Sequence, residues 1–222
     1  ALANAVALAG GVSIDTNGNN LTLTGVVSGV GGLTKINAGT LTLNGVNTYS
    51  GNTVINAGTL NAGNGSAIGS GSLNIAGGAT LQAGGSFTLS NFVALNGATT
   101  IDTNGNDLTL SGSIVGAGGF DKIGAGTLTL TGSNSYAGAA NINTGTLLVN
   151  GTNFGLGLTT VASGAALGGS GTITGPVTIA NGATLFAGQP SGATVGVLNV
   201  GALTLNSGSI LDYEFSSPNV SG

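Results

Sequence analysis

The 222-residue chain has only two basic residues, both lysine, against six acidic ones, for a net charge of −4. Charged residues make up 4% of it, against about 25% in an ordinary soluble protein, so there is no basic patch to neutralise phosphates and nucleic acid is excluded as a partner. Cys and His are absent, which removes disulfides, thiolate or imidazole metal ligands, and the usual base for an activated serine.

Read along the chain, the short-range signal is alternation. The opening ALANAVALAGG has helix propensity, but its counterpart NFVALNG at 91–97 carries Phe92 and Val93, which favour a strand, so both read as strand. Leu21 and Leu23, then Leu41 and Leu43, alternate with threonines at the period of a strand. The pattern returns at Leu108 and Leu110, at Leu128 and Leu130, and at Leu203 and Leu205. N-G and A-G steps stop each run after four to six residues. Glycines 39, 58, 126 and 145 mark bends between strands. No stretch is long and apolar enough for a membrane helix. No basic n-region precedes Lys35, so the chain reads as an internal piece of a longer protein.

The long-range signal is duplication. At an offset of 87, residues 4–60 align with 91–147 without a gap, and 35 of the 57 pairs are identical. Identical apolar pairs mark the expected inward positions: Val6/Val93, Leu8/Leu95, Ile14/Ile101, Ile36/Ile123, Leu41/Leu128, Leu43/Leu130, Ile55/Ile142 and Leu60/Leu147. Positions of opposite parity drift, as in Val54/Asn141 and Asn61/Leu148. Apolar anchors at Ile14, Leu41, Leu60, Leu81, Ile101, Leu128, Leu147, Leu167, Leu185 and Ile210 recur about every 22 residues, the spacing of solenoid coils. The duplicated unit then corresponds to four coils. The expected fold class is all-β: a single right-handed parallel β-helix (β-solenoid) of about ten rungs of about 22 residues. Residues 1–222 are expected to form one continuous segment, with 208–222 a frayed or transitional end.

Residues 32–60 and 119–147 share the line G-x-x-K-x-x-x-G-T-L-T-L-x-G-x-N-x-Y-x-G and a trailing G-T-L. This line closely resembles the passenger-associated repeat of bacterial autotransporters, and the upstream IDTNGN-x-LTL stretches resemble the linking rungs of such passengers. The resemblance implies a secreted β-helix at the bacterial surface, with flanking rungs and a C-terminal outer-membrane barrel as partners. A host or neighbouring-cell surface is the further partner it implies. The second copy departs from the line where Ala139 and Ala140 replace Asn52 and Thr53.

Candidate chemistry is sparse. Asp15 and Asp102 are repeat equivalents, expected too far apart to cooperate as a glycosidase pair. Asp212 and Glu214 have a plausible spacing but read as a solvated edge. DTNGND at 102–107 imitates the start of a calcium loop with its Gly misplaced, and reads as an N-G turn capped by Asp. Lys35 and Lys122 recur at one repeat position and read as structural, as do Tyr49 and Tyr136. The T-x-T pairs Thr22/Thr24, Thr40/Thr42, Thr127/Thr129 and Thr172/Thr174 do not recur once per rung, so no continuous threonine row is expected. Catalytic, cofactor and metal sites are all expected to be absent. The function expected is a non-catalytic stalk of a surface-displayed passenger; the alternatives are an adhesin or self-associating surface and, further off, a carbohydrate-active enzyme.

Overall fold

The computed structural model describes residues 1–189 and 196–213. Its strands are two to four residues long, and every pairing between named strands is parallel. Short parallel strands separated by turns, each paired with the strand one turn away, make the expected β-solenoid. The longest sheet stacks ten strands, from Asn20–Leu23 to Leu203–Leu205. A second side is a six-stranded sheet from Val12–Asp15 to Ile114–Val115, with a four-stranded sheet from Ser133–Asn134 to Asn199–Val200 beyond it. The third side begins with Val6–Leu8 on Val27–Gly29. It passes through irregular chain near residues 47–50 and 66–72, then becomes a seven-stranded sheet from Phe87–Leu89 to Ile210–Asp212.

Leu21, Leu41, Leu60, Leu81, Ile101, Lys122, Ile142, Val161, Ile179 and Leu205 form one continuous column of register partners on the ten-stranded side. Ten stacked strands span nine complete turns, so a turn takes about 20 residues rather than 22. The longer figure arose because the anchor series changes side: Leu41, Leu60, Leu81 and Ile101 stack on one sheet, whereas Leu128, Leu147, Leu167 and Leu185 stack on another.

The same geometry corrects the reading of the duplication. Four turns beyond Leu41 the column reaches Lys122, while the repeat equivalent of Leu41 is Leu128, six residues further on. Strand Thr40–Leu43 belongs to the ten-stranded sheet and its equivalent Thr127–Leu130 to the seven-stranded one. Likewise Leu33–Ile36 lies in the six-stranded sheet and Phe120–Ile123 in the ten-stranded one. The 87-residue unit is four turns plus one side, and the second copy is rotated about the axis relative to the first.

The core is a continuous column of buried Leu, Ile, Val and Ala, each large side chain contributing about 1.5–3 kcal/mol on full burial. Most of the expected inward pairs are buried, including Leu8/Leu95, Leu41/Leu128 and Leu60/Leu147. Ile36 and Ile123 are not: in strands Leu33–Ile36 and Phe120–Ile123 the isoleucines are half-buried, and Lys35 and Lys122 take the inward positions. Leu148, expected to face outward, is buried. It pairs in register with Gly168, whose missing side chain is replaced by the ring of Phe186.

As expected, the T-x-T pairs build no continuous threonine row, Thr22 and Thr42 stacking onto Asn61, but an interrupted row forms on the ten-stranded side. Outward positions Thr40, Thr59, Thr80 and Thr100 are successive register partners, followed by Asp121 and Asn141 and then Thr160, Thr178 and Thr204. Of the T-x-T pairs it includes only Thr40, and Asp121 and Asn141 interrupt it. Of the four glycines read as bends, three have positive φ (Gly39 +88°, Gly58 +70°, Gly145 +70°). At Gly126 the requirement is space instead, since a Cβ would lie 1.8 Å from the Asn106 carbonyl oxygen.

Candidate functional site

The two lysines are the most unusual feature of the interior. Both are fully buried, and each ammonium is held by the turn that follows its own strand and by the turn one rung on. Lys35 Nζ donates to the carbonyls of Ile36 (2.7 Å), Asn37 (2.6 Å), Ala38 (3.4 Å) and Ala57 (3.4 Å). Lys122 Nζ donates to the carbonyls of Gly124 (2.6 Å), Ile123 (3.1 Å) and Thr144 (3.1 Å) and to Thr103 Oγ1 (2.9 Å). A turn leaves carbonyls without strand partners, and a buried ammonium with three donors satisfies them. The trailing G-T-L of the repeat has a physical cause here. A Cβ on Gly58 would lie 2.9 Å from Lys35 Nζ, and one on Gly145 2.8 Å from Lys122 Nζ. Glycine leaves the ammonium its space and adopts the positive φ of that turn.

Burial pushes both ammonium groups below their ordinary 10.5, Lys122 to about 8. Asp15 opposes the shift at Lys35, and Asp102 and Asp107 oppose it at Lys122. A cation below its usual range is a candidate for nucleophilic work, but these nitrogens face carbonyls with no opening to a substrate. Each ammonium ties its own turn to a neighbouring one.

The N-x-Y part of the line is also structural. Asn47 accepts the Val27 N–H (2.7 Å) and donates to the Ala67 carbonyl (2.6 Å), bridging the turns below and above. Asn134 accepts the equivalent Ile114 N–H (2.9 Å). Tyr49 and Tyr136 are buried, and each hydroxyl needs a partner. Tyr49 pairs with Thr53. In the second copy Ala140 stands at that position and cannot serve, so Asn153 from the next turn donates to the Tyr136 hydroxyl (2.8 Å). The Tyr136 ring meets Phe120 edge-on at 5.3 Å.

The carboxylates are engaged in turns and cross-turn bonds. Asp15 Oδ1 accepts the Asn17 N–H (2.7 Å) and Oδ2 the Asn37 amide (2.9 Å). These bonds, the backbone one first, hold it below the usual carboxylate range. Asp102 accepts the Asn104 N–H (2.7 Å) and the Gln82 amide (2.8 Å), and Asp107 accepts the Thr127 N–H (2.9 Å). Asn17 and Asn104 each have a φ of 49° and precede a glycine of positive φ, the N-G turn read from the sequence. Asp15 and Asp102 lie on different sides of the solenoid. Asp212 ends strand Ile210–Asp212, whereas Glu214 lies outside the described residues. Among the described residues there is no group of three or more acidic, His or Cys side chains.

One concavity stands out on the surface. A cleft of about 520 Å³ crosses three successive turns, lined by Asn47 and Thr48, by residues of 65–72, and by Ser90, Asn91 and Phe92. It occupies the irregular part of the third side, where residues 61–90 separate the two repeat copies. Sequence reasoning missed it because no repeat partner marks those residues.

The lysine-capped turns coincide with a known family. Residues 14–41, 33–62 and 120–149 match the passenger-associated-transport-repeat. The chain carries autotransporter passenger repeats. The match at 14–41 shows that the IDTNGN stretch of the first copy, read as a linking rung, is itself part of a passenger repeat; there Ile14 fills the register position that Lys35 takes one turn on. The chain is also similar to "Adhesin BmaC autotransporter" of Brucella suis biovar 1 (strain 1330), 39% identical over 155 residues, 62% of this chain and 4% of that protein. The chain thus spans about one twenty-fifth of the length of that curated relative. No solved structure matches it.

Proposed function

We propose that residues 1–222 form one continuous structural segment of an autotransporter passenger, displayed outside the cell on a C-terminal barrel and without catalytic activity of its own. The observation that carries this reading is the rotation between the copies. A repeat kept for a common binding face would return to the same side after a whole number of turns. Here the equivalent outward residues point to different sides, and what recurs is the buried lysine, its carbonyl cage and the Asn side chain that accepts an N–H from the turn below. Duplication has preserved the means of closing a turn. The similarity to an adhesin autotransporter supports placing the segment in an adhesin-type passenger that contacts a host or neighbouring cell.

The test is a deletion made in whole turns. Ile101, Lys122, Ile142, Val161 and Ile179 are successive register partners, so removing residues 101–178 from the full-length protein joins Thr100 to Ile179 with every side kept in line. A passenger shortened in this way is expected to reach the surface, present an epitope placed beyond the deletion, and adhere as the parent does. Loss of adhesion with display intact would overturn the stalk reading.

A further inference from the structure

We propose that the cleft between the two repeat copies is a binding site for a neutral oligosaccharide. Its floor is recessed for a local reason. The Ala67 N–H donates to the Asn64 carbonyl and the Gly69 N–H to the Ser66 carbonyl, making a tight turn that draws Ala67 and Ile68 into the core. Gly69, with φ of 64°, then lies directly on Tyr49, where a Cβ would meet the ring at 2.9 Å. Gly69, Ser70, Gly71 and Ser72, which follow these buried residues, line the cleft.

The walls are held by buried groups. The Asn91 amide donates to the carbonyls of Gly69 (3.0 Å) and Gly71 (2.7 Å), and Asn47 ties the Val27 turn to Ala67. Both asparagines are buried, so the frame is fixed before any ligand arrives, which lowers the ordering cost of binding. The groups left over are hydroxyls: Thr48, Ser66, Ser72 and Ser90 make no side-chain hydrogen bond among the described residues. Beside them Phe92 is 45% exposed, an apolar plate on the rim of a polar cleft.

Unused hydroxyls together with an exposed aromatic face suit a ligand with hydroxyl edges and an apolar C–H face, which is the chemistry of a sugar ring. The volume lies within the ~300–1,000 Å³ usual for ligand sites, and three turns at roughly 4.8 Å spacing give a length of roughly 10 Å, enough for two or three rings. No ionisable side chain lines the cleft, and both cations of the chain are buried elsewhere. Sialylated and sulfated glycans therefore find no counter-charge, and neutral ones are favoured. A shallow site of this kind binds weakly and gains strength when many passengers face a glycan-coated surface. The site is independent of the stalk reading, since deleting residues 101–178 leaves its lining intact.

Saturation-transfer NMR on the 222-residue chain tests it, with maltotriose, cellotriose, mannotriose and lacto-N-tetraose as neutral probes and 3′-sialyllactose and a heparin disaccharide as acidic ones. Transfer to at least one neutral probe is expected, with Kd between about 0.1 and several millimolar. Phe92→Ala and Ser72→Val should each weaken it at least fivefold with melting unchanged, while Phe154→Ala, at an exposed aromatic outside the cleft, should leave it unchanged. Absence of transfer to every neutral probe, preference for an acidic one, or binding indifferent to both cleft substitutions would overturn the proposal.

Discussion

Replacing Lys122 with Met keeps the aliphatic stem and most of the volume while removing the ammonium. The three protons of that group serve four acceptors at 2.6–3.1 Å. Counting three charge-assisted bonds at roughly 1.5–2 kcal/mol each gives about 5 kcal/mol lost. Against this stands the cost of burying the charge. A pKa lowered from 10.5 to about 8, with the attraction of Asp102 and Asp107 already included, corresponds to at most about 3 kcal/mol, reduced to about 2 for solvent screening near the turn. The net destabilisation is about 3 kcal/mol, or roughly 6–12 °C in melting temperature for a chain of this size. Thermal unfolding followed by far-UV circular dichroism reads it directly, with Ile123→Met on the outward position of the same strand as the control, expected within about 1 kcal/mol of the parent. A Lys122→Met protein as stable as the parent would mean that a hydrophobic side chain closes the turn equally well, as happens at some buried ion pairs. The reading of the ammonium as the tie between turns would then fail.

Leu128→Asp places a carboxylate in the core column and should cost several kcal/mol, whereas Thr129→Asp, one residue on and outward, should cost under about 1 kcal/mol; equal melting losses would refute the inward assignment of that strand. Between pH 8 and 10 the unfolded chain keeps a proton on Lys122 that the folded chain has released, so stability should rise with pH in that window. Above pH 10 the buried Tyr49, raised to about 12, and Tyr136, also raised, reverse the slope because the unfolded chain loses their protons first. A melting temperature falling steadily from pH 8 would refute this, and Lys122→Met should diminish the rise, leaving the part due to Lys35. Thr53→Ala leaves the buried Tyr49 hydroxyl without its partner and should cost about 1–2 kcal/mol. That loss should shrink in a Tyr49→Phe background, and a double-mutant cycle showing no coupling would count against the pairing.

The fold class was legible because its signals are local. Alternation at Leu41 and Leu43 needs only a strand, and the small steps between runs need only turns. The duplication then separated core from surface at Leu60/Leu147 and Ile55/Ile142 without any structural knowledge. Identity has two causes at one strand. Ile36/Ile123 and Lys35/Lys122 are adjacent identical pairs, and apolarity pointed to the isoleucines as the buried ones. The lysines are buried instead, because the turn beyond them leaves carbonyls that hydrocarbon cannot satisfy. The alternation Leu33, Lys35 carried that signal, with the inward parity set by Leu33. Leu148 was misplaced for a different reason: its cover is the Phe186 ring over Gly168, two turns away, a contact that depends on register and leaves no trace in the repeat comparison.

Register also explains why the duplication misled about the long-range order. A turn of about 20 residues does not divide 87 evenly, and the remainder of six carries Leu128 past the Leu41 column onto the next side. Such an offset is tolerated because each side of the solenoid asks the same thing of its strands: two inward apolar groups and a turn that can be closed. A segment bearing its own lysine cage satisfies those demands on any side, so it can be copied at a length unrelated to the turn. Function confined to one face would not survive that kind of copying. The segment between the copies is free of that constraint: its residues 65–72 form the floor of the cleft, while the walls at Asn47 and Thr48 and at Asn91 and Phe92 come from the copies themselves.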